Sequence, residues 1–149
     1  MSASTISIAS VLNHLVETCK DGQQGFRTAA EDVTNLDFKS LFNELSMQRQ
    51  QFVAELQTLV DGLGEIPEDG GSISAVFHRG WINLRSAISS GEEHAVLAEC
   101  ERGEDFAVEA YREALDHESL PANVRVAIRQ QYMAVQAAHD RVRDLRDRF

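Results

Sequence analysis

The sequence predicts an all-α fold: four long helices packed as a bundle, with a short crossover helix between the second and third. Three observations point there. Four stretches repeat apolar residues at alternating three- and four-residue steps, which lays one apolar seam along each helix. Helix breakers are scarce, with nine glycines and two prolines in 149 residues. The last two stretches carry opposite charge: residues 92–118 hold ten acids and two arginines, and residues 122–149 hold six arginines and three aspartates. Opposite fields favour pairing those two as a hairpin, although each exposed pair contributes little.

The first helix is expected over residues 4–33, with the seam Ile8, Leu12, Leu15, Cys19, Gly22, Phe26, Ala29 and Val33. Gly22 and Gly25 lie inside it at a cost of about 1 kcal/mol each relative to alanine. They imply close approach of another helix, or a bend near Asp21. Residues 34–37 form a short capped turn, so the second helix returns antiparallel. It covers residues 38–63 with Phe42, Leu45, Arg49, Phe52, Leu56, Leu59 and Leu63 inward, then a Gly64 cap and an acidic loop over residues 65–71.

A third helix over residues 72–89 is only about 25 Å long, against roughly 40 Å for the main ones. Ile73, Val76, Phe77, Gly80, Trp81, Leu84 and Ile88 line one side, with His78, Arg79 and Asn83 on the other. Phe77 and Trp81 are its expected anchors on the bundle, Gly80 permitting close approach. With its flanking loop it could carry the chain back along the bundle, as the long crossover of ferritin-like folds does. His78 and Arg79 offer an alternative anion or partner site.

The next helix runs to about residue 117. Ser90 with Glu93, or Ser89 with Glu92, has capping-box spacing at its start. Its seam is Leu97, Cys100, Glu104, Ala107, Tyr111 and Ala114; the last helix opens near Pro121 with Val124, Ile128, Gln131, Val135, Ala138, Val142, Leu145 and Phe149 inward.

A chain of this length, 43% hydrophobic, suits one domain over residues 1–149 with a proper core. The formal charge of −10 argues against a nucleic-acid binder or a protein docked on an anionic membrane. No apolar run approaches the roughly 20 residues that span a bilayer, and no secretory signal is evident at the start. Cys19 and Cys100 fall on core faces, as buried free thiols of a cytoplasmic protein would. Helix register sets their depths roughly 7 Å apart, which disfavours a redox pair.

A bundle with polar residues at its centre raises the question of a carboxylate-bridged metal site. Such sites take a glutamate from each of two helices and a Glu-x-x-His step from each of the other two. No Glu-x-x-His step occurs in this chain; the nearest items are His14-x-x-Glu17 in reverse order and Glu101-x-x-Glu104. His14, Glu17 and Glu31 fall outward, so the interior set for iron or manganese is Glu101, Glu104 and His139, with Gln131 nearby. Arg49 at the same depth would repel an ion. Counted from one end of the bundle, Arg49 and Glu104 share a layer beside Gly22, so a buried ion pair that holds the helices in register is the main reading and the metal set the alternative. No catalytic Ser-His-Asp or Cys-His arrangement and no phosphate-binding glycine loop can be inferred.

Three motifs carry a family likeness: Cys19-Lys-Asp-Gly-Gln-Gln-Gly-Phe26, His78-Arg-Gly-Trp81 and Glu99-Cys-Glu-Arg-Gly-Glu-Asp105. In that order they resemble a bacterial, ferritin-like four-helix-bundle family that is a domain of unknown function, over residues 8–146. The resemblance implies a ferritin-like bundle in a soluble bacterial protein and supplies no reaction. Two functions are therefore expected. One is a non-enzymatic module that acts by self-association or on a protein partner, with stress response as one setting. The alternative is an iron- or manganese-binding protein or metal-dependent oxidoreductase built on a non-standard site of Glu101, Glu104 and His139.

Overall fold

The computed structural model describes residues 7–63 and 81–149. Helix α1 spans Ile8–Asp32. Ser7 opens it, its Oγ accepting from the Ser10 amide at 3.0 Å. Asn35 opens α2, Leu36–Gly62, by accepting from the Asp37 and Phe38 amides at 2.9 and 3.1 Å. Lys39 of α2 reaches back and donates to the Ala30 carbonyl, so the second helix satisfies a carbonyl left open at the end of the first. The other long pair is tied the same way. Helix α4, Glu93–Leu115, and α5, Ala122–Arg148, are joined by Arg125, which donates to the carbonyls of Leu115 and His117 at 3.0 and 2.6 Å.

Cross-helix contacts fix the directions. Cys19 of α1 meets Tyr111 of α4, and Val33 lies near Val96, so α1 and α4 run antiparallel. Phe38 of α2 packs edge-on against Phe149, and Glu44 pairs with Arg141, so α2 and α5 are antiparallel too. Helices α2 and α4 are therefore parallel and sit diagonally across the bundle. The order is up, down, down, up. Helix α2 ends where α1 begins and α4 starts at the opposite end, so the connection between them crosses the whole length. The short helix α3, Leu84–Ser89, belongs to that connection.

The predicted all-α bundle with a short helix between its second and third long members is the fold observed, and no strand occurs among the described residues. Two local expectations change. The capping-box spacing does not start α4. Ser90 instead ends α3, its Oγ donating to the Ala87 carbonyl at 2.6 Å and accepting from the Glu92 amide at 3.2 Å. Gly91, with φ of 72°, turns the chain before α4, which places the serine on the wrong side of the bend to cap it. Helix α4 also stops at Leu115, two residues short of the expected end, and Arg125 donates to that last carbonyl. The Gly64 cap, the acidic loop, most of the predicted third helix, its anchor Phe77, Gly80 and the alternative site at His78 and Arg79 lie outside the described residues.

The core divides in two along the bundle. One cluster gathers Leu12, Leu15, Leu56, Tyr111, Ile128 and Val135. The other gathers Phe26, Phe42, Leu45, Trp81, Leu97 and Val142. Between them, on α2 and α4, lie Arg49 and Glu104.

Candidate functional site

Arg49 and Glu104 face each other across the bundle diagonal. Nη1 donates to Oε1 at 2.5 Å and Nη2 to Oε2 at 2.6 Å, a fork-to-fork pair at 1% and 0% exposure. Two parallel charge-assisted bonds are the strongest form this contact takes. Arg49 Nε also donates to Gln48 Oε1 at 3.2 Å, and its guanidinium lies 5.5 Å from the centre of the Phe26 ring. Burial pushes the guanidinium pKa down, but the charge and hydrogen bonds of Glu104 outweigh burial and the net direction is up. Gly22 makes room for it: a Cβ there would stand 3.2 Å from Nη1.

A hydrogen-bonded chain runs beside this layer. Gln131 Nε2 donates to Glu55 Oε1 at 2.9 Å, which turns Oε1 of Gln131 inward to accept from Tyr111 OH at 2.6 Å. The phenol has spent its only hydrogen, so the contact of Cys19 Sγ with Tyr111 OH at 3.0 Å has the thiol as donor. Burial raises the Cys19 thiol to about 11 and the Tyr111 phenol well above its usual value. Both groups stay protonated at neutral pH. Cys100 is likewise buried with its pKa raised by burial, and it sits in the other core cluster. None of the three is a nucleophile or a metal ligand in that state.

Trp81 is seated between α1 and α4. A Cβ on Gly25 would fall 2.4 Å from its ring and one on Gly103 2.3 Å, so both helices carry glycine where the indole presses in. Phe26 meets the ring edge-on at 5.0 Å, and the Asn83 amide donates to Glu99 Oε2 at 2.8 Å two residues further along. The glycines that admit the ring thus belong to the helices that receive it. Gly25 and Gly103 come from the first and third sequence motifs and Trp81 from the second, so all three converge on one seat.

The remaining cluster lies in the outer groove between α4 and α5. His139 Nε2 is 2.6 Å from Asp105 Oδ1 and 3.7 Å from Glu101 Oε2, while Nδ1 is 3.1 Å from Asp140 Oδ1. Arg146 bonds the other oxygen of Glu101. Burial lowers the imidazole pKa, and the bonds to Asp140 and Asp105 with the nearby Glu101 charge outweigh it, so the net direction is up. Of the expected set of Glu101, Glu104 and His139, two members meet and Glu104 does not join them. Its carboxylate is turned inward and held at both oxygens by Arg49. Asp105 takes the third place. It was not in the expected ligand set, yet it is four residues from Glu101 and so stacks one turn above it on the same side of α4.

Residues 7–117, which are 111 of the 149, match the model of a domain of unknown function, DUF2383. The chain belongs to the DUF2383 family. No curated protein matches the sequence. The DUF2383 match takes in the Arg49–Glu104 pair and the Trp81 seat; His139 and Arg146 lie beyond it on α5. No helix among the described residues is long and apolar enough to cross a membrane.

Proposed function

We propose that this DUF2383 chain is a non-enzymatic, ferritin-like bundle of a bacterial cytoplasm that acts by protein association, first of all with a second copy of itself. The up-down-down-up order with one long crossover is the arrangement of ferritin-like folds. The observation that carries the reading is the closed Arg49–Glu104 pair. It occupies the middle of the bundle, where a carboxylate-bridged centre would need several acids and no cation. The thiols and the phenol around it are held neutral. What remains to act with is the outer surface, where Met47, Val126 and Met133 stand 56–70% exposed on α2 and α5. Sedimentation velocity over a wide concentration range is the test. Mass-action growth of a dimer is expected; a monomer at every concentration, with no partner retained by immobilised protein, would remove association.

A second reading, the iron- or manganese-dependent oxidoreductase, has in its favour that Glu101 and His139 do meet. Against it, Glu104 is already committed to Arg49. Metal content after anaerobic loading and dialysis separates the two readings. Two ions per chain, lost in the Arg49→Met/Glu104→Gln variant, would favour the oxidoreductase.

A further inference from the structure

We propose that Glu101, Asp105 and His139 form a mononuclear site for a divalent transition-metal ion in the outer α4–α5 groove, separate from the closed centre of the bundle. Their ligand atoms lie within 4.8 Å of one another. An ion bound at about 2.0–2.2 Å from each would set such atoms roughly 3–3.5 Å apart. His139 Nε2 already sits 3.7 Å from Glu101 Oε2, too far for a hydrogen bond. Its 2.6 Å contact with Asp105 must open by less than about 1 Å, and the wider separations, none beyond 4.8 Å, must close.

The surroundings of the imidazole supply a second, independent argument. A metal-bound histidine generally donates its other ring N–H to a carboxylate, which fixes the tautomer and aims the free nitrogen at the ion. In its Nδ1–H tautomer His139 has that arrangement, with Nδ1 at 3.1 Å from Asp140 Oδ1 and Nε2 turned toward Glu101 and Asp105. Glu101 is anchored as well: it is buried and keeps one oxygen on Arg146, leaving Oε2 to face the site. Asp105 is 63% exposed on its side chain, so the groove is open to water on that side and further ligand positions can be filled by solvent. One imidazole with two carboxylates suits Zn(II), Fe(II) or Mn(II), whereas calcium and magnesium favour all-oxygen sets. The Arg146 guanidinium beside Glu101 opposes the ion and weakens the site.

The test is titration of chelator-treated, full-length protein with zinc chloride and separately manganese chloride, followed by calorimetry and by the Mn(II) resonance signal. One ion per chain is expected. His139→Gln and Asp105→Asn should each weaken binding at least about tenfold, and Asp140→Asn about 10- to 100-fold as a partner of the ligand. Arg146→Gln should tighten it, while His117→Gln, just past the C-terminal end of α4, should leave it unchanged. Asp105 is exposed, so its variant keeps the fold even where His139→Gln does not. Absence of stoichiometric binding, or binding that survives both His139→Gln and Asp105→Asn at full strength, would overturn the site. Loss of binding in Arg49→Met/Glu104→Gln with those two variants unaffected would place any ion at the bundle centre instead.

Discussion

At the scale of single residues, the two charges at the centre depend on each other. Glu104 is wholly buried, and among the described residues Arg49 is the cation paired with it. Arg49→Met should therefore cost about 3–5 kcal/mol, because it strands a buried carboxylate, while Arg49→Met/Glu104→Gln should recover most of that loss. Urea denaturation of the three proteins decides it; equal stability of the single and double variants would refute the dependence. The pairing was within reach of the sequence, since depth along parallel helices can be counted from residue numbers. Asp105 was not: its carboxylate leaves α4 beside the seam, and whether that side faces solvent or the groove to α5 depends on how the helices roll. Tyr111 and Gln131 read simply as seam positions, because a phenol and an amide signal a hydrogen-bonded chain only when a partner is placed opposite them.

At the scale of elements, periodicity locates the long helices because it is local and repeats every turn. What it leaves out is how one helix receives another. Gly25 signalled a close approach or a bend in α1, and which of the two it serves is plain only when Trp81 is laid across it opposite Gly103. Gly103→Ala should push a methyl group into the indole at 2.3 Å. The expected cost is about 1–3 kcal/mol, with a red shift in the emission of the chain's one tryptophan. Gly62→Ala at the end of α2, where a Cβ meets nothing within 4 Å, should instead be neutral or stabilise by up to about 1 kcal/mol. Comparable destabilisation by the two substitutions would show that the seat is not tight.

For the whole molecule, three buried acids set an alkaline limit. Cys19, Cys100 and Tyr111 all have their pKa raised by burial, Cys19 from 9.0 to about 11. The folded state then holds protons that the unfolded chain releases. The stability these groups lend is fully present below the unfolded values of 9.0 for cysteine and 10.0 for tyrosine, and it is lost as pH rises toward the folded values. Unfolding free energy should fall steeply above about pH 9. Both thiols should resist a disulfide reagent in the native protein at pH 8 and react once it is unfolded. Rapid labelling of native protein would contradict their enclosure.

The position of Trp81 has a consequence for how this bundle comes together. Each hairpin, α1 with α2 and α4 with α5, is tied by contacts between neighbours in sequence, and those contacts can form within one hairpin. The notch for the indole cannot: Gly25 is on one hairpin and Gly103 on the other. The ring reaches its place only after the halves have met, and once there it bars them from parting without first being withdrawn. The crossover thus acts as a latch as well as a connection, with a single side chain seated against both halves at once.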